Sequence, residues 1–263
     1  MSLTSRGILS DFLLSFGALP RIRPEIISAS CMSVPNSLTD IWSGCDTQQI
    51  KTYLTTAETL DLSSTSAGDS ISGTGARQIE LSGLDNNFDR ISEVIDLNGL
   101  ATVTTTNSFI RLNFAVVSSS GTFGGTGTGA NEGVITIESS STNNLEGKIG
   151  FLDGIPTGRM LNSNFCTPRN TRAVIRNSVN LTLNNNLPAD LFLMSRENNA
   201  DLTSAPFGAP RIAAVFNGVQ GVSNININTP PFTDGGADVW FSALPGQNNT
   251  PISLQYSFVL GFL

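Results

Sequence analysis

Ile110-Arg111-Leu112-Asn113-Phe114-Ala115-Val116 alternates apolar residues with smaller or polar ones. Ile110, Leu112, Phe114 and Val116 fall on one side, and Arg111, Asn113 and Ala115 on the other. A period of two is the pleat of a β-strand with one buried face, because successive side chains point to opposite sides. Outward from this stretch the same reading recurs. Arg77-Gln78-Ile79-Glu80-Leu81-Ser82 alternates, a turn region follows over Gly83–Asn87, and Ile95-Asp96-Leu97 resumes the alternation. Val134–Ile137 closes this series after the glycine-rich run Gly124–Gly129.

A second series reads as strands over Thr171–Arg176, Val179–Leu183, Leu191–Met194, Ile212–Phe216, Val222–Ile227 and Asp238–Ser242. The last strand puts Ile252, Leu254, Tyr256, Phe258 and Leu260 on one face, which should be buried. Short strands divided by turn signals make the fold class all-β, with two sandwich-like units of jelly-roll or Ig-like type. The expected division is an arm over residues 1–50, a β-sandwich domain over 51–145 and a second β-rich domain over 146–263. The Ser/Thr/Asn-rich stretch Ser139–Asn144 marks the joint, near residues 138–155.

The arm is the odd part. Ile8–Phe16 predicts a short helix stopped by Gly17 and Pro20. Pro20, Pro24 and Pro35 then punctuate chain with no period, poor material for a domain. Yet Phe12, Leu13, Leu14, Phe16, Ile26, Ile27 and Trp42 are too apolar to leave in water. They are read as assembly contacts that pack on a neighbouring subunit, with the chain's own body as the rival template.

Composition points the same way. Only 13% of the 263 residues are charged, against about 25% in an average soluble chain. A surface committed to protein neighbours needs less charge, since interface cores are depleted in it. The net charge is −7 and no basic run exists, which argues against nucleic acid as a partner. No apolar run is long enough to cross a bilayer, and Asp11 interrupts the segment that would otherwise suggest a signal peptide.

The chemistry-bearing motifs are thin. There is no histidine, which removes Ser-His-Asp and Cys-His machinery. Three cysteines, Cys31, Cys45 and Cys166, leave room for one bridge, such as Cys31 with Cys45; the expected state is buried free thiols. The run Gly124–Gly129 loosely fits a dinucleotide fingerprint, but Val134–Ile137 after it is a strand where the chemistry needs a helix N-terminus. Asp85-x-Asn87-x-Asp89 has a calcium-like spacing, but Arg90 stands where the loop needs glycine. Asp153, Glu197, Asp201, Asp234 and Asp238 could in principle supply a carboxylate pair for glycoside cleavage. They lie in expected loops, where solvation is the usual role. No cofactor and no metal are expected, and no enzymatic activity.

One block is more specific than its pieces. Gly73-Thr74-Gly75-Ala76-Arg77 runs through Gly83-Leu84-Asp85 to Ile91-Ser92-Glu93-Val94 and Leu97-Asn98-Gly99. Val103 through Asn113, with Thr105-Thr106-Asn107-Ser108-Phe109-Ile110-Arg111, and then Asn131-Glu132-Gly133-Val134-Ile135 complete it. Together they resemble a recurrent block in virion structural proteins of aquatic tailed phages, cyanophages included, and of large algal DNA viruses. Ile41-Trp42-Ser43-Gly44 is comparable to the Trp-containing segment that precedes it. The C-terminal half matches only loosely, lacking more basic strands, and the arm is not covered. The resemblance implies a virion component made in the host cytoplasm, with no catalytic residues to carry over. Partners would be other virion proteins, major capsid or tail and neck proteins, and further copies of the chain, a trimer among the expected forms. The leading role is a capsid cement or decoration subunit. A tail, neck or fibre component stays open, as does a surface carbohydrate-binding module.

Overall fold

The computed structural model describes residues 22–123, 130–183, 188–198, 208–226 and 232–262. The expected helix over Ile8–Phe16, with Phe12, Leu13, Leu14 and Phe16, lies outside them, as do Gly124–Gly129 and Asp201. The described chain is all-β, and no helix in it is long and apolar enough to cross a membrane.

One sandwich pairs β1 (Ile22–Val34), β19 (Thr250–Phe262), β13 (Thr171–Leu183) and β16 (Val222–Asn226) in that order, with β17 (Phe232–Asp234) also on β13. Its second sheet runs β12 (Phe165–Cys166), β18 (Ala237–Pro245), β14 (Ala189–Glu197), β15 (Arg211–Val219), with β2 (Thr39–Asp40) also on β18. Between them lie Ile27, Val179, Leu181, Leu191, Leu193, Phe241 and the alternating face of β19. Ile252, Leu254, Tyr256, Phe258 and Leu260 are all buried, as expected.

The other sandwich packs the sheet β6 (Val103–Thr104), β3 (Leu60–Ser64), β8 (Ile135–Ser139), β9 (Leu145–Ile149) on the sheet β5 (Arg90–Asp96), β4 (Ala76–Leu84), β7 (Arg111–Ser120). Leu60, Leu62, Ile79, Leu81, Leu112, Ile135 and Ile137 form its core. A small hairpin, β10 (Phe151–Leu152) with β11 (Ile155–Pro156), follows.

The domain boundaries differ from those expected. Residues 60–149 form an insertion, because β1 and β2 join the same sandwich as β12 to β19. The described part of the supposed arm is a 13-residue strand in register with β19 from Ile22↔Gly261 to Cys31↔Ile252. Ser139–Asn144 is not the joint but the turn of the β8–β9 hairpin, with Ser139 N–H donating to Asn144 O.

The central alternation also breaks once. Ser82 pairs with Phe114 but Gly83 pairs with Leu112, so Asn113 is an extra residue in β7. Beyond it the faces exchange: Ala115 and Val117 are buried and Val116 is exposed, opposite to the sequence expectation. Gly83 has to be glycine here, since a Cβ would stand 2.1 Å from Arg111 O. Asn98-Gly99 forms a turn with Gly99 at φ 62°, but it leads the chain from one sheet to the other instead of closing a hairpin.

Cys31 and Cys45 are bonded to each other, and Cys166 is a buried free thiol. The expectation of buried free thiols holds for Cys166 and is corrected for Cys31 and Cys45, the pairing left open by the sequence: β1 and the loop after β2 bring their Cα atoms to 5.9 Å. Closing a loop with a separation of 14 residues contributes about 3 kcal/mol in the chain-entropy account. Cys45→Ser is therefore expected to lower the melting temperature by roughly 10 °C. Scanning calorimetry of wild type with and without reductant should show the same difference, absent in the variant.

Candidate functional site

The seam between the two sandwiches holds the most highly built polar arrangement in the described residues. Arg111 opens β7, Asp238 lies near the start of β18 and Arg196 near the end of β14. Arg111 Nε donates to Asp238 Oδ1 at 2.9 Å and its Nη2 to Oδ2 at 3.1 Å, a two-point contact. Arg196 Nε donates to Oδ2 at 3.2 Å, and its Nη2 also reaches that oxygen. Asn198 Nδ2 donates to it at 2.9 Å. Arg111 Nη1 donates onward to the carbonyls of Ile110 and Leu54.

Tyr53 covers this cluster. Its ring centroid is 4.2 Å from the Arg196 guanidinium carbon and 5.0 Å from that of Arg111, stacking that favours a cation over the ring face. Tyr53 Oη accepts from Asn164 Nδ2 at 2.6 Å. Next to it, Asp40 accepts from Trp240 Nε1 at 2.9 Å and Ser242 Oγ at 2.6 Å. Lys51 Nζ donates to Glu146 Oε2 at 2.9 Å and sits 4.8 Å from the Trp42 ring centroid. Strands of both sandwiches thus meet in charge-assisted bonds.

Burial and charge oppose each other at these groups. Burial pushes the Asp238 carboxyl up, and the guanidiniums of Arg111 and Arg196 overcome it, leaving the pKa at about 2. Burial raises Asp40 and Glu146 above their ordinary values, against the pull of Ser242 and Lys51 respectively. Burial likewise raises the Cys166 thiol and the Tyr53 phenol well above their ordinary values. The cluster can clamp but offers no free base. Both Asp238 oxygens are occupied, and Arg111 and Asp238 are 4% and 1% exposed.

A stability profile with two slopes follows. The raised Asp40 and Glu146 contribute stability at low pH that is lost as pH rises through their folded pKa values. The lowered Asp238 contributes stability above its unfolded pKa near 4, lost as pH falls toward 2. On acidification from pH 8 the melting temperature should rise first and then fall between about pH 4 and pH 2, the second limb worth roughly 2 kcal/mol. A steady decline from pH 8 downward in calorimetry would contradict this.

A cleft of about 520 Å³ lies between β1, the disulfide and the β8–β9 and β10–β11 hairpins. Ser30, Met32, Thr136, Lys148, Phe151 and Arg159 are among its walls. Lys148 is held by Asp46 at 3.0 Å and Thr47 at 2.6 Å, and Arg159 reaches Ser28 Oγ at 3.4 Å. No group of three or more metal-ligating side chains occurs in the described residues. Asp85 Oδ1 accepts from the N–H groups of Asn87 and Asp89, so it caps the turn its spacing marked.

The residues singled out from sequence do not converge. Ile27 and Trp42 are fully buried in the chain's own core, which corrects their reading as contacts to a neighbour. Ile26, on the opposite face of β1, is 64% exposed. Of the candidate acids, Asp153 sits at a turn with φ 51° and Glu197 is exposed beside Arg211. Asp234, in β17, pairs in register with Arg172 of β13, and Asp238 is the buried centre of the clamp, in the strand expected over Asp238–Ser242 and not in a loop. The clamp itself was missed. Its one signal was Arg111 inside an apolar strand of a charge-poor chain, a position that needs a partner when buried.

No family model matches the chain, and no curated protein matches it. Among solved structures it is similar to the VP2 subviral particle of infectious bursal disease virus, at 9% identity, over 92% of this chain and 71% of that one, with a TM-score of 0.21. It is also similar to T=1 particles derived from infectious bursal virus, at 9% identity, over 92% and 78%, with a TM-score of 0.17. Superpositions this loose assign neither fold nor function.

Proposed function

We propose that the chain is a non-enzymatic structural subunit of a virus particle, a cement or decoration subunit that works by packing against other subunits. The observation that carries the reading is where the charge goes. The chain has 14 basic and 21 acidic residues. At least seven of these 35 are buried: Asp40, Lys51, Glu58, Asp69, Arg111, Glu146 and Asp238. At most 28 then serve a surface of 12,543 Å², about one per 450 Å². A surface so sparse in charge suits contact with protein neighbours. The buried charges, for their part, make clamps and turn caps. The phage-like block from Gly73 to Ile135 supports the same reading, and major capsid proteins are the partners it implies.

Quantitative mass spectrometry of purified particles tests it. A cement subunit should appear at a copy number that scales with the shell lattice. A ring-like number of about a dozen or fewer would move it to the neck or tail. Its absence from particles would remove the reading.

A further inference from the structure

We infer that the cleft beside the disulfide binds an amphiphilic carboxylate, a small anion with an aliphatic body. Its head would sit on Arg159 and its tail against Met32, Phe151, Leu152 and Leu161, all walls of the same cleft. At about 520 Å³ the space is of the size that holds a small molecule. Val134 and the Cys31–Cys45 bridge are also among the walls. Met32 and Phe151 stay exposed there, so folding leaves apolar surface in the cleft uncovered.

The polar groups around it are already engaged by the fold. Ser30 Oγ and Ser253 Oγ share a hydrogen bond at 2.9 Å. Ser43 Oγ accepts from the Lys148 N–H at 2.8 Å, and Thr65 Oγ1 from the Val134 N–H at 2.9 Å. Thr157 Oγ1 donates to the Arg159 carbonyl at 2.9 Å. Of the five hydroxyls in the walls, Thr136 is the one with no such bond. Lys148 Nζ is taken by both oxygens of Asp46, at 3.0 and 3.2 Å, and by Thr47 at 2.6 Å. A sugar would give up its hydration here and find few partners in return, whereas an aliphatic body gives up none.

Arg159 is the exception. Among the described residues no carboxylate lies within ion-pairing distance of its guanidinium, and its contact from Nη2 to Ser28 Oγ is long, at 3.4 Å. The remaining N–H groups of the fork suit a two-point contact with a carboxylate. The balance of charge points the same way. Lys148 and Arg159 against Asp46 leave the walls at +1, in a chain whose net charge is −7. A positive cleft in an acidic molecule draws a small anion and repels a cation. One free two-pronged cation beside apolar walls therefore specifies one acidic head on an apolar body.

This site goes beyond the virion reading and does not depend on it, since the purified full chain suffices to test it. Titration calorimetry with sodium dodecanoate should show one-to-one binding with a Kd of roughly 10–100 μM. Dodecyltrimethylammonium chloride, the same tail with the opposite charge, should bind at least tenfold more weakly. Arg159→Gln, at an exposed position, should keep the wild-type melting temperature and weaken dodecanoate binding at least tenfold, and Arg159→Lys should lose less. Phe151→Asp should weaken it as well. Arg211→Gln, at an exposed arginine of β15, should bind as wild type does. Absence of saturable binding by wild type up to about 1 mM overturns the inference. So does wild-type-like binding by folded Arg159→Gln or Phe151→Asp protein, equal binding of the two amphiphiles, or equal loss with Arg211→Gln.

Discussion

Asp238→Ala is expected to cost about 3–5 kcal/mol, lowering the melting temperature by on the order of 10 °C or more in a chain of this size. The carboxylate is not important because ion pairs are strong in general. It is important because its removal leaves two guanidiniums, Arg111 and Arg196, facing each other in the seam. Arg111 is 4% exposed and cannot rotate into water without opening the packing under Tyr53. Replacing the trio together, Arg111→Met, Arg196→Met and Asp238→Leu, should recover much of the loss, since no charge then remains unpaired. Thermal melts of the single and triple variants measure the difference. A single variant that melts within a degree of wild type would show that the seam does not depend on the clamp.

Deleting residues 1–34 is expected to abolish cooperative folding of the sandwich built from β12 to β19. The sequence reading of residues 1–50 as an arm expects the opposite, a body that folds without them. Ile27, Ala29, Cys31 and Val34 are each within 3% exposure in the core, and a fully buried Ile or Val contributes roughly 1.5–3 kcal/mol. The deletion also strips the ladder from β19 over Cys31↔Ile252 to Ile22↔Gly261 and removes the disulfide. Native stabilities run to about 5–15 kcal/mol, so little would remain. Deletion of residues 1–20 alone leaves β1 in place and should keep a sharp melt. Equal, wild-type-like melts for both deletions would show that β1 is dispensable.

The sequence by itself determined the class of fold and most of its strands. A period of two is a local property, readable wherever one face is buried, and nearly every alternating stretch is a strand. β13 shows the limit of that reading. Thr171–Arg176 and Val179–Leu183 look like two strands, yet they are one, with a register shift between Ile175 and Val179. The β7 bulge is similar: Asn113 fits the alternation on paper, and only its pairing with β4 reveals that the count on the two strands differs.

Tertiary structure alone decided which strands share a sheet, and so decided the domains and the candidate sites. β1 is separated from β19 by more than 200 residues, and a strand edge carries no mark in sequence of the edge it meets. That is why aperiodic, proline-punctuated chain reads as an arm although it is half of a ladder. The same holds for the clamp. Arg111 and Asp238 are 127 residues apart, and neither has a local partner that would announce the other. Their meeting depends on how two closed sandwiches dock, and the energetics follow from that docking. Low dielectric makes an unpaired buried charge costly, so position in the seam, not position in the sequence, made these residues a unit.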